Sequence, residues 1–305
     1  MGVMGLNRVF MMLSKANASA SRIAEVVELP LDMPVLEEAA CTVPEQEGMI
    51  VFDHVSFSYH PDEEGTPAAA DRFAGGSREK CLTDIHFAIP RGGSLGIIGA
   101  TGSGKTSIVN LLMRFYDPQE GHVFVDGRDV RGYSLAELRQ RFGVVFQNDA
   151  IFAATIRENV VFGRKVDDDM LRMAAADAMA QEFIEAYEDQ YDHEAVIAGA
   201  NFSGGQKQRL LISRALAARP EILVLDDSSS ALDYRTDASL RRAIRAHHAD
   251  ATTIVIAQRV SSIMSLDRIL VLDEGRCIGY GTHDELLADC PVYREICETQ
   301  MGEAV

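Results

Sequence analysis

Between residues 99 and 106 the chain reads Gly99-Ala100-Thr101-Gly102-Ser103-Gly104-Lys105-Thr106. This spacing of glycine, lysine and threonine suits one kind of chemistry. The glycines let the backbone wrap closely around a triphosphate, so that successive N–H groups and a helix N-terminus face its negative oxygens. Lys105 adds a point charge near the β and γ phosphates, and Thr106 offers a hydroxyl to Mg²⁺, an ion that prefers hard oxygen ligands. Ser107 follows directly and joins the cradle. The flanks are consistent with this: Leu95-Gly96-Ile97-Ile98 predicts a buried strand entering the loop, and Ser107 to Met113 an apolar-faced helix leaving it.

About a hundred residues later comes Asn201-Phe202-Ser203-Gly204-Gly205-Gln206. Ser203 stands where an N-cap belongs, and Gly204 and Gly205 leave the first helical N–H groups unshielded for an anion such as a γ-phosphate. The sequel, Lys207 to Leu216, has helical spacing with a basic face. Ile222-Leu223-Val224-Leu225 predicts a strand buried on both faces, ending in the acidic pair Asp226 and Asp227. Upstream, Tyr59 closes the alternating segment Val55-Ser56-Phe57-Ser58, and Gln147 follows the apolar run Gly143-Val144-Val145-Phe146.

In this order the motifs resemble the ATP-binding cassette (ABC) family from Met49 to the C-terminus. The resemblance implies an α/β P-loop NTPase fold with a mostly parallel core sheet, an antiparallel β element and an α-helical subdomain over about 155–218. It implies ATP and Mg²⁺ as cofactors. Tyr59 is then the aromatic platform for adenine, although a core or edge tyrosine is the plain alternative. Asp226 and Thr106 become metal-binding, while Gln147 reaches the metal or the attacking water. Ser203, Gly204, Gly205 and Gln206 close over ATP held by a second subunit, and Ser230-Ala231-Leu232-Asp233 crosses the dimer interface. Ala150 to Gly163 is similar to the segment of exporter-type members into which membrane helices press.

Two positions depart from the family pattern. Asp227 stands where most members carry Glu, the group that orients or deprotonates the attacking water, and Gln258 stands where they carry His. Losing one methylene draws the carboxylate back, and a misplacement of about 1 Å can cost on the order of 10²-fold in rate. Glutamine also lacks an imidazole's ability to carry charge. With Asp227, Gln258 and Gln147 as its catalytic residues, the site is expected to bind ATP and hydrolyse it poorly. The signature is complete apart from Phe202 at a position commonly Leu, which resembles the degenerate-site half of a heterodimeric multidrug-type exporter. Just before it, Val196-Ile197-Ala198 is apolar where exporters commonly place an acidic residue.

The formal charge of −17 argues against nucleic acid or an anionic membrane surface as the main partner. Five scattered cysteines fit a reducing compartment, and neither they nor the eight histidines form a ligand pattern; His247-His248 reads as a solvated helix end. No segment approaches the roughly 18 apolar residues of a membrane span. Residues 1–29 resemble the end of an exporter's last membrane helix, with an independent amphipathic helix as the alternative. Residues 30–47 read as a linker, 48–305 as the cassette, and about 61–80 as a polar insertion expected to be mobile. Thr282 and Glu285 predict a capping box.

The expected partners are a second half-transporter and transmembrane domains, with membrane attachment only through the latter, at the cytoplasmic face of the cell membrane. The rival readings are a non-transport ABC ATPase, a non-hydrolysing nucleotide sensor, and a homodimer for which Asp227 suffices.

Overall fold

A computed structural model describes residues 2–28, 33–36, 47–59, 80–228 and 230–302. Contacts divide the chain into two units, 1–35 and 36–305. The first contains α1 (Gly2–Val27), on which Phe10, Met11, Met12, Leu13, Ile23 and Val27 are all exposed. Among the described residues no helix is long and apolar enough to cross a membrane. Most of the linker expected over 30–47, and all of the insertion expected over 61–80 except Lys80, lie outside the described residues.

The second unit opens with β1 (Ile50–Phe57) and β2 (Leu82–Ile89), then β3 (Ser94–Gly99) and α2 (Lys105–Leu112). Next come β4 (Glu120–Val125), β5 (Arg128–Asp129), α3 (Leu135–Gln140) and β6 (Phe142–Val145). A helical stretch follows: α4 (Ile156–Val161), α5 (Asp168–Asp177), α6 (Gln181–Glu185) and α7 (Gly204–Ala217). The chain then alternates through β7 (Ile222–Asp226), α8 (Tyr234–His247), β8 (Thr252–Ile256), β9 (Arg268–Asp273) and β10 (Arg276–Gly281). It closes on α9 (His283–Asp289) and α10 (Pro291–Met301). Thr155, Ser203 and Thr282 each form a capping box with the Glu or Gln three residues on, which fixes where α4, α7 and α9 begin.

Two sheets result. The larger has the order β10-β9-β3-β8-β7-β6, with all neighbours parallel except the β10 edge. The smaller, β2-β1-β4-β5, is antiparallel throughout. Every residue of β7 and β8 is buried, as apolar runs in a parallel sheet covered on both faces require. Along β7 the side chains alternate between two cores. Leu223 and Leu225 join the cluster containing α5 and α7, and Ile222 and Val224 join the one containing α2 and the antiparallel sheet. The mixed sheet, the antiparallel sheet and the helical stretch between β6 and β7 match the architecture that the resemblance implies.

Three local expectations change. The alternation expected at Val55-Ser56-Phe57 is absent, because all three are buried. Strand β1 shifts register between Phe52 and Val55, where His54 adopts φ 48°, so the period of two is broken by a bulge. Gly121 accommodates that bulge, since a side chain there would strike the carbonyls of Asp53 and His54. His247 and His248 do more than end α8: His247 stays exposed and His248 is largely covered, and both bond the carboxylate of Asp177 on α5, at 2.6 Å and 2.9 Å. They fasten α8 to α5. Nor is the face of α7 simply basic. Arg214 is only 5 % exposed and donates to the Asn159 and Ala150 carbonyls, with its guanidinium over the ring of Phe162.

Candidate nucleotide site

Strand β3 delivers the glycine-rich loop to the edge of a cleft of about 300 Å³. Its lining includes Tyr59, Cys81, Thr101, Gly102, Gly104, Lys105, Thr106, Ser107, Gln147, Asp226, Asp227 and Gln258. Gly104, at φ 98°, ends the loop and starts α2. Only glycine fits there, because the positive φ is strained for other residues and a Cβ would press on Leu82. Gly99 and Ser103 lie beneath the loop: Ser103 is buried, and a side chain at Gly99 would meet its hydroxyl and the Leu272 carbonyl.

Lys105 Nζ donates to the carbonyls of Gly99 and Ala100 at 2.9 Å and 2.7 Å, so its charge lies over the loop. Burial lowers the Lys105 pKa, against the pull of Asp226 and Asp227. Asp226 ends β7 almost fully buried, and the Thr106 hydroxyl donates to it at 3.4 Å. Burial raises its pKa, opposed by the Thr106 bond; the charge of Asp227 raises it further. Two hard oxygen donors that meet at the cleft, one of them a carboxylate poorly solvated by protein, fit a Mg²⁺ ion. Gln147 lines the same cleft and carries a further oxygen donor, its side-chain amide.

Asp227 adopts φ 50°, with its N–H bonded to the Ile256 carbonyl at 2.9 Å. The turn brings its carboxylate to Gln258, whose Nε2 donates to Oδ2 at 3.1 Å. Burial raises the Asp227 pKa, while Arg259 and the Gln258 bond hold it down. Gln258 is fixed from behind by α10, where Gln300 donates to its carbonyl at 2.7 Å and accepts from the Val260 N–H at 2.8 Å. The two departures from the family pattern are therefore bonded to each other.

Tyr59 is 38 % exposed, with its ring edge-on to Phe57 and Tyr116 at 4.8 Å and 5.0 Å. Its hydroxyl bonds Ser107 at 3.0 Å and accepts from Asn110 at 3.0 Å, which ties the ring to the helix that leaves the phosphate loop. Cys81, Asn110 and Tyr116 were missed by sequence reasoning. Cys81 bonds Ser107 at 3.1 Å, but no local pattern marks a residue that reaches the cleft from the far end of a long connection.

Ser203, Gly204, Gly205 and Gln206 do not line this cleft. They open α7 elsewhere: Ser203 accepts from the Gln206 N–H, and the side chain of Gln206 accepts from the Ser203 N–H. Gly205 lies against Ala231, 3.2 Å from its carbonyl to the position a Cβ would take, so the segment after β7 abuts the signature glycines of the same chain. Arg259, next to Gln258, donates to the carbonyls of Leu232 and Ser230 in that segment. Phe152 and Phe162, whose rings pack on each other, and Val196 and Ile197 are exposed apolar side chains.

A glycine-rich loop between strand and helix, a buried aspartate across from its threonine, and the mixed sheet define a P-loop nucleotide-binding protein. Comparison with known proteins narrows the class. Residues 82–230 match the ABC transporter family. The chain is 36 % identical over 293 residues to a putative ABC transporter ATP-binding protein, exp8, of Streptococcus pneumoniae, covering 96 % of this chain and 47 % of that protein. It is 39 % identical over 269 residues to an ATP-dependent lipid A-core flippase of Sodalis glossinidius, covering 88 % of this chain and 44 % of the flippase. The structure of a bacterial Atm1-family ABC exporter with ATP bound superposes with a TM-score of 0.84 at 31 % identity, over 98 % of this chain and 50 % of that one. The chain thus spans about half the length of the relatives it matches. It carries an ABC transporter ATP-binding domain of the exporter type.

Proposed function

We propose that this chain is the ATP-binding and ATP-hydrolysing part of an ABC exporter, working at the cytoplasmic face of the cell membrane with transmembrane domains and a second cassette. ATP lies along the loop from Gly99 to Ser107, with adenine on Tyr59 and Mg²⁺ held by Thr106, Asp226 and Gln147. The metal would neutralise phosphate charge. Lys105 leaves the loop carbonyls for the β and γ phosphates. Asp227 and Gln258 face the γ-phosphate and orient the attacking water. Ser203, Gly204, Gly205 and Gln206 close the partner's site, a reading supported by their lying outside the chain's own cleft. The exposed apolar side chains Phe152 and Ile197 receive the membrane domain by packing. Residues 1–29 are the connection to that domain, 30–47 the linker, and 48–305 the cassette, with an insertion over about 61–80.

The observation that carries the finer reading is the Gln258–Asp227 bond. The short carboxylate is held back toward Gln258, so this chain's own site is slow and the partner's site, completed by Ser203, does most of the turnover. The partner is then a different half-transporter. Steady-state phosphate release by the isolated chain is expected to be slow, and Asp227→Glu to raise it by about 10²-fold, the factor that a misplacement near 1 Å costs. Brisk hydrolysis by the unmodified homodimer, with no gain from glutamate, would instead favour the homodimer in which Asp227 suffices.

A further inference from the structure

The bulge in β1 assembles a second group of chemically able side chains, remote in function from the nucleotide cleft. Neighbouring residues on a regular strand point to opposite faces. Here the left-handed turn at His54 breaks that rule, and ligand-capable atoms of Asp53, His54 and His86 all lie within 4.8 Å of one another. His86 comes from β2, with its Nδ1 3.5 Å from Asp53 Oδ1. That oxygen is buried and accepts no hydrogen bond among the described residues. A buried carboxylate oxygen left so is costly unless something cationic satisfies it.

We propose that Asp53, His54 and His86 bind a first-row divalent transition metal ion, Zn²⁺ by donor set. Two imidazole nitrogens and one carboxylate oxygen form a borderline N₂O set that suits Zn²⁺ and disfavours Mg²⁺ or Ca²⁺, which take oxygen ligands. A tetrahedral ion with bonds near 2.0–2.1 Å keeps its ligand atoms roughly 3.3 Å apart. The Asp53–His86 pair is already at 3.5 Å. His54, 64 % exposed and stacked on His86, has its ligand atom within 4.8 Å of the other two and has to shift by up to about 1.5 Å to reach that spacing. A water takes the fourth position.

The surroundings are those a metal histidine needs. His54 Nδ1 donates to Asp84 Oδ1 at 2.6 Å, so Nε2 is the nitrogen that would take the ion. Asp84 is itself turned into place by a left-handed φ of 53° and by its N–H bonding Ser56 Oγ at 3.2 Å. The ion would staple β1 to β2 five residues before Tyr59.

The test is calorimetric titration of ZnCl₂ into the full chain, made without a histidine tag and kept in excess Mg²⁺ to occupy the Asp226 cleft. One equivalent is expected to bind. His54→Ala and His86→Ala should each weaken it about a hundredfold, and Asp84→Asn about ten- to a hundredfold. Co²⁺ substitution should give a visible spectrum without a thiolate charge-transfer band, which excludes Cys81 and Cys277 as ligands. Circular dichroism and ATP binding verify that each variant is folded. Absence of one-equivalent binding, or binding that persists in the folded His54→Ala/His86→Ala double variant, overturns the proposal.

Discussion

Asp226 is held by one hydroxyl and the charge of Lys105, and burial outweighs them. Its folded pKa lies above the ordinary aspartate value of 3.8, so the neutral form is favoured in the folded protein. The stability this confers is complete below the unfolded value and is lost as pH rises through the folded one. At neutral pH the charged carboxylate therefore destabilises the nucleotide-free protein. Asp226→Asn should melt at a higher temperature than wild type at pH 7 without Mg²⁺, and the difference should vanish near pH 3.5; thermal denaturation at the two pH values checks both. The same variant should lose Mg-ATP binding. Residue identity and local order made Lys105, Thr106 and Asp226 legible in the sequence, because each sits at a fixed offset within a continuous strand–loop unit. Tyr116 and Cys81 were not legible, since only folding carries them to Tyr59 and Ser107.

Elements were predicted well where a local signal decides them. Ser203 caps its helix and Thr282 forms its capping box as expected, because the cap and its partner lie three residues apart. Contacts between elements were misjudged. His247 and His248 look like polar residues at a helix end, yet Asp177, 3 % exposed and seventy residues earlier, accepts from both. Asp177→Ala should leave both imidazoles without their acceptor at the α5–α8 junction and cost about 1–3 kcal/mol. Urea denaturation should show a lower midpoint with an unchanged slope. Arg214 was read as part of a charged face and proves to be the buried anchor for Asn159 and Ala150. A side chain with five donors is buried only where carbonyls are waiting, and those carbonyls come from another segment.

At the scale of the whole molecule, the two loops that name the family open in different places. The phosphate loop lines the cleft, and Ser203 begins α7 outside it, exposed and already capping its own helix. On the proposed function, an assembled pair of cassettes is what would give Ser203 a phosphate. Ser203→Thr keeps a capping hydroxyl, so the melting temperature of the chain should hold. Turnover by the assembly with its partner should fall about tenfold or more as the bulkier side chain displaces the γ-phosphate contact. Phosphate release by the mixed assembly, beside a melting curve of the chain alone, separates a stability effect from an interface effect.

The amino-acid sequence by itself determined the phosphate loop, the strand that ends in Asp226, the caps and the alternation of strands with helices, because each depends on neighbours a few residues away. Tertiary structure decided which of these meet. It bonded Gln258 to Asp227, laid Tyr59 on Ser107, clamped α5 to α8 through Asp177, and turned Asp53 and His54 toward His86. Those contacts join residues as much as seventy-one positions apart, and a bulge or a left-handed turn re-aims a side chain in a way that periodicity along the chain does not encode.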